Sequence, residues 1–135
     1  MGKIKFKNNL PILALNADLI TKLDLKNLAN YHISNNSDFT VSVKDRDFEI
    51  PFATVEIKNN KILSLEEKPK KSFFFNAGIY MINQDLLKNL KNVRRKIDMT
   101  DFIDLVIKKR FKVIPFFHHE KWIDYGTIEQ YLNVR

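Results

Sequence analysis

The chain contains no cysteine and only three glycines and four prolines in 135 residues. Without thiols there can be no disulfide framework, no thiolate metal site and no cysteine nucleophile. The shortage of glycine and proline excludes collagen-like and low-complexity architectures. Long apolar runs are missing too. Ile12 to Leu15 and Gly78 to Ile82 fall far short of the roughly 20 residues that cross a bilayer as a helix. The start, Met1-Gly2-Lys3-Ile4-Lys5, is basic, but no apolar segment follows it as a signal peptide would require. A cytoplasmic protein without membrane contact is expected.

What is present is an ordinary globular composition, 44% hydrophobic and 29% charged. The length suits one domain with a core and is short for two, so a single domain over residues 1–135 is expected. The net charge of +7 is spread over separate clusters, Lys70-Lys71, Arg94-Arg95-Lys96 and Lys108-Lys109-Arg110. No basic helix or aromatic stripe accompanies them, so they read as solvated surface and no nucleic-acid partner is expected.

Hydrophobic periods alternate between two and 3.6, the mark of an α/β fold. Leu10 to Leu15 reads as a buried strand ending at Asn16-Ala17-Asp18. Asp24 is a plausible N-cap for a helix with Leu25, Leu28 and Ala29 on one face. Phe39, Val41 and Val43 alternate with polar residues as in a half-buried strand. Ala53 to Lys58 and Lys61 to Leu65 flank Asn59-Asn60, a hairpin signal because Asn tolerates positive φ. Phe73 to Ile82 forms another strand, Gln84 to Leu90 a helix, and Asp98 with Asp101 a capping box opening a helix through Phe102, Leu105 and Val106. Lys112 to Phe117 and Trp122 to Asp124 complete the strands, and Thr127 caps a last helix with Ile128, Tyr131 and Leu132 inward.

Asp18 and Asp124 each stand just past a strand end, where open α/β sheets place ligands, although a turn or capping acid would look the same. Brought together they would suit Mg²⁺, which takes one or two carboxylates and completes its shell with phosphate and water oxygens. Glu66-Glu67-Lys68-Pro69 offers an acceptor and a cation at a strand end, or simply a charged edge stopped by proline. Asn76-Ala77-Gly78 places a glycine inside a strand, which signals a close approach of backbone or ligand. His118-His119-Glu120 lacks a third nearby histidine, and adjacent strand residues face opposite ways, so no metal centre is expected there.

Taken in order, these segments resemble the sugar-1-phosphate nucleotidyltransferase family, in its mannose-1-phosphate guanylyltransferase-like branch. Pro11 to Asp18 is similar to the family's strand ending in Asn-Gly-Asp. Pro51 to Glu56 and Ile62 to Pro69 resemble its hairpin closing in Glu-Lys-Pro, and Asn76-Ala77-Gly78-Ile79-Tyr80 its Asn-Ala-Gly-Ile-Tyr strand. Trp122-Ile123-Asp124-Tyr125-Gly126-Thr127, with Glu129 and Tyr131, is similar to its closing motif. The resemblance implies a partial GT-A/Rossmann-like fold, a mixed sheet with flanking helices. It also implies transfer of a nucleotidyl group from a nucleoside triphosphate to a sugar 1-phosphate, with release of pyrophosphate. Asp18 and Asp124 would hold Mg²⁺, Lys68 would meet the sugar phosphate, and Asn16, Glu67, Asn76 and Gly78 would line the substrate.

Three departures qualify the match. The family's opening strand and Gly-rich loop, whose N–H groups cradle a triphosphate, have no counterpart among these residues. Ala17 and Ala53 replace family glycines, where a methyl group would crowd a ligand or oppose positive φ. The chain is therefore expected to be the carboxyl-terminal, sugar-binding portion, with Leu10 to Leu15 left as an apolar edge covered by a second copy or by a separate amino-terminal half. The alternative is a catalytically inactive sugar-phosphate-binding or regulatory module.

Overall fold

The computed structural model describes residues 10–90 and 97–126. The helix expected after Thr127 and the cluster Arg94-Arg95-Lys96 lie outside them. Strands β1 (Ile12–Leu15) and β2 (Leu19–Thr21) precede helix α1 (Leu25–Ser34) and strand β3 (Phe39–Glu49). Next come β4 (Thr54–Lys58), β5 (Lys61–Glu66) and β6 (Lys70–Ile82). Helices α2 (Gln84–Asn89) and α3 (Met99–Lys108) and strands β7 (Val113–Phe117) and β8 (Trp122–Asp124) follow. Among the described residues no helix is long and apolar enough to cross a membrane. The chain divides into two compact units, Met1–Val43 with Asn76–Arg135, and Lys44–Phe75.

The first unit is built on a mixed sheet ordered β1-β6-β3-β7. β1 runs antiparallel to β6, with Ala14 opposite Tyr80, and β3 runs parallel to β7, with Val41 opposite Pro115. Successive strand residues point to opposite faces, so β6 sends Tyr80 and Ile82 one way and Ile79 and Met81 the other. On the first face Phe39, Tyr80 and Ile82 pack with Leu86 of α2 and Val106 of α3. On the second, Ile79, Met81 and Phe116 pack with Leu28 of α1 and Leu23. The α/β fold expected from the alternating periods is thus present, with helices on both faces. Phe39, Leu28 and Val106 are fully buried, each contributing about 1.5–3 kcal/mol relative to exposure.

Asp24 caps α1 through the N–H groups of Lys26 and Asn27. Asp98 also stands at an N-cap, but its side chain makes no cap hydrogen bond, so the expected capping box is not formed. His32 of α1 is buried with Nδ1 2.8 Å from the Thr40 hydroxyl of β3. Burial pushes its pKa below the usual histidine value against the opposing pull of Asp38, so it serves as a neutral tie between helix and sheet.

Among the described residues β1 ends the sheet, the edge position expected for Leu10 to Leu15, but it is not the buried strand its apolar run suggested, with Ile12 and Ala14 inward and Leu15 53% exposed. Its two faces are unequal because Ile12 and Ala14 pack against the core that includes Phe39 and Tyr80, while Leu13 and Leu15 on the other face remain exposed.

The second unit contains the β4–β5 hairpin, antiparallel with Val55 opposite Leu65 and Ile57 opposite Ile62. Asn59 and Asn60 at its tip have φ of 51° and 60°. This is the double left-handed turn that matches the natural twist of a hairpin. Glu49 pairs with Lys70 at 3.3 Å, and Ser72 donates to Asp47. Phe48 meets Phe73 edge-on at 5.7 Å between ring centres.

Candidate functional site

The turn after β1 carries Asn16, Ala17 and Asp18 directly into β2, an element too short to be visible in the hydrophobic pattern. β2 pairs antiparallel with β8, placing Leu19 opposite Asp124. Beyond that register the Tyr125 N–H donates to the Asp18 carbonyl at 2.9 Å. This small ribbon brings together two acids that stand far apart in sequence. A Cβ built on Gly126 would lie 3.2 Å from Asp124 Oδ1 and 3.9 Å from Asp18 Oδ2. Both carboxylates therefore line one space, which the absent side chain of Gly126 leaves open. The Gly126 N–H also donates to Asp124 Oδ1 at 2.9 Å, fixing that carboxylate in place.

Asn76 and Gly78 sit on β6. Gly78 has φ of +72°, a backbone state that side-chain-bearing residues rarely adopt. The space its missing Cβ leaves is filled by the chain itself, since Asn16 Nδ2 would stand 2.7 Å and Leu19 Cδ1 3.1 Å from a Cβ there. The Asn16 N–H also donates to the Gly78 carbonyl at 2.9 Å. The close approach expected at this glycine is thus made by Asn16. Asn76 accepts from the Gly78 N–H through Oδ1 at 2.9 Å and donates through Nδ2 to the Tyr80 hydroxyl at 2.8 Å.

Trp122 joins the two groups. Its indole N–H donates to the carbonyl of buried Ala77 at 2.8 Å, two residues before Asp124 and one after Asn76. Asn16, Asp18, Asn76, Gly78 and Asp124 consequently belong to one constellation within the first unit.

Glu67 and Lys68 belong to the second unit, in the exposed turn between β5 and β6. Lys68 has φ of +46° immediately before Pro69. The position is doubly disfavoured, because left-handed backbone strains any residue with a Cβ and a following proline favours extended conformations. Such strain persists where the surrounding structure over-determines the conformation. Lys68→Gly is expected to leave stability unchanged, or raise it by up to about 1 kcal/mol, while weakening sugar-phosphate binding. Denaturant unfolding and calorimetric titration check the two halves. At Ala17 and Ala53 φ is not positive, so neither methyl group meets left-handed strain.

The residues missed from sequence are Tyr80 and Gly126 in their structural roles. Gly126 stood inside a quoted motif, but its meaning is spatial. The donor set of the acid pair is hard, anionic oxygen around an open space, which fits Mg²⁺. The described residues hold no group of three or more potential metal-ligating side chains, so any further ligands would be substrate or water oxygens.

A mixed sheet between helices, with an acid pair on the adjoining β2–β8 ribbon, defines an α/β protein. The family model described as nucleotidyl transferase matches residues 2–135, and the chain belongs to that family. A glucose-1-phosphate adenylyltransferase of Lachnospira eligens is 32% identical over 129 residues, 89% of this chain and 30% of that protein. The corresponding Bacillus subtilis enzyme is 31% identical over 129 residues, 87% of this chain and 34% of its own. A candidate glucose-1-phosphate thymidylyltransferase of Bacillus anthracis, solved with sucrose, superposes with a TM-score of 0.62 at 21% identity, over 93% of this chain and 53% of that one. HddC of Yersinia pseudotuberculosis gives the same TM-score at 19% identity, over 94% of this chain and 54% of its own. These structures support the GT-A/Rossmann-like fold. The chain spans about a third of the length of the curated relatives it matches.

Proposed function

We propose that this chain supplies the sugar-phosphate side of a sugar-1-phosphate nucleotidyltransferase, working in the cytoplasm where nucleoside triphosphates are made and used. The observation that carries the reading is the convergence of Asp18 and Asp124 on the space beside Gly126. An oxygen of the sugar phosphate forms a bond to the α-phosphorus. The bond from that phosphorus to the bridging oxygen breaks, and pyrophosphate leaves with the electron pair. Such a reaction needs positioning and charge neutralisation more than covalent help from the protein. Asp18 and Asp124 would hold Mg²⁺, which when bound there would offset phosphate charge. Lys68 would meet the sugar phosphate as a point charge, while Glu67, Asn76 and Asn16 would hydrogen-bond sugar hydroxyls.

The relatives favour glucose 1-phosphate as the acceptor to test first. The guanylyltransferase-like motifs keep mannose 1-phosphate and guanosine triphosphate in the panel. The edge position of β1 among the described residues and its exposed side chains support a partner there, a second copy or a separate amino-terminal half. Light scattering of the purified chain is expected to give a mass above one protomer, and a monodisperse monomer removes the second-copy reading.

The deciding assay is Mg²⁺-dependent pyrophosphate release with panels of nucleoside triphosphates and sugar 1-phosphates. Turnover confirms the enzyme. Sugar-phosphate binding without turnover in a folded sample assigns the chain as a binding module instead.

A further inference from the structure

We infer that Tyr80 is a positioning residue for sugar recognition, holding the Asn76 amide in the one orientation that presents a single donor and a single acceptor outward. The inference rests on the reading of Asn76 as a sugar-binding residue. Asn76 is exposed, yet both ends of its amide are engaged, Oδ1 by the Gly78 N–H and Nδ2 by the Tyr80 hydroxyl. A backbone N–H can only donate, so it decides which end of the amide is oxygen. The phenol holds the other end and stops rotation about a terminal torsion that is otherwise broad.

An asparagine amide has two N–H donors and an oxygen with two lone pairs. With one donor and one lone pair used internally, one of each remains. That pair complements a sugar hydroxyl, which accepts one hydrogen bond and donates one.

The contact is not a routine feature of a strand. Residues four apart along β structure are separated by about 13 Å. The left-handed backbone of Gly78 breaks that regularity between Asn76 and Tyr80. Tyr80 itself is 2% exposed, its ring 5.8 Å from that of Phe39 within the core. The hydroxyl is therefore the tip of a strut rooted in the core, and it passes that rigidity to an exposed amide. Burial raises the Tyr80 pKa above its usual value, more than the Asn76 contact lowers it. The phenol stays protonated through the neutral range, and the arrangement does not titrate there.

The test is calorimetric titration of glucose 1-phosphate into the wild-type chain, Tyr80→Phe, Asn76→Ala and the double variant, alongside thermal unfolding. Tyr80→Phe is expected to weaken binding about 3- to 10-fold, the worth of one hydrogen bond, with nearly unchanged melting temperature. In the Asn76→Ala background the same change is expected to add less than about 2-fold, because the group it positions is gone. Wild-type affinity in Tyr80→Phe overturns the inference and leaves the sugar-binding reading standing. An equal loss in both backgrounds also overturns it, showing general loosening of the strand. An Asn76→Ala variant that binds like wild type, or a wild-type chain that binds no sugar phosphate, overturns the reading of Asn76 and the inference with it.

Discussion

Replacing Asp124 by Asn is expected to lower Mg²⁺-dependent pyrophosphate release by about 100-fold or more while leaving the fold intact. The asymmetry follows from what the carboxylate does in each state. Its structural duty is small, since Oδ1 accepts from the Gly126 N–H at 2.9 Å, and an asparagine oxygen accepts equally well. Its charge is another matter. Asp124 and Asp18 line one space, so without a cation they repel each other, and the neutral amide relieves that repulsion. The melting temperature without Mg²⁺ should therefore hold or rise slightly. Stabilisation by added Mg²⁺, expected in the wild type, should shrink in the variant because binding to the native state is what raises stability. In turnover the loss is larger, as charge offset around phosphate is worth several kcal/mol. Asp18→Asn should behave alike. A variant that retains both Mg²⁺ stabilisation and turnover would place the metal elsewhere and remove the observation on which the function rests.

Much of the fold was legible because it is written locally. Asn59-Asn60 gave the hairpin since the residue type that tolerates left-handed backbone occupied both turn positions. Asp24 gave the start of α1 because a cap is a short-range bond. What sequence could not reveal is pairing at a distance. β2 is three residues long and has meaning only beside β8. The apolar run of β1 left burial and an edge position equally open, because such a run is at home at the centre of a sheet and at an edge, and only the family resemblance pointed to the edge that is observed. The site divides in the same way. Asp18, Asn76 and Asp124 could be singled out by residue type and place in the chain, but their mutual geometry depends on the β2–β8 ribbon and on the Trp122 hydrogen bond to Ala77. The left-handed Lys68 was invisible for another reason, because nothing in lysine or in a following proline favours that conformation.

Gly78→Ala is expected to cost about 2–5 kcal/mol of stability. Two separable terms contribute. At φ of +72° an alanine carries left-handed strain of about 1–2 kcal/mol. The new Cβ would also stand 2.7 Å from Asn16 Nδ2 and 2.9 Å from its Cγ, closer than such atoms can approach. Asn16 cannot simply swing away with its backbone, because its N–H is bonded to the Gly78 carbonyl. Overpacking of this kind adds roughly 1–3 kcal/mol. The two terms part company when Asn16 is truncated. In an Asn16→Ala background Gly78→Ala should cost only the backbone strain, and urea unfolding of the four chains reads the difference directly. An equal cost in both backgrounds would mean that the contact is soft and that conformation alone demands glycine. The functional consequence runs through the same atoms. The Gly78 N–H orients Asn76, and Asn16 leads through Ala17 to Asp18, so a strained residue here disturbs Asn76 and the acid pair together. Sugar-phosphate affinity should fall even at temperatures where the variant remains folded.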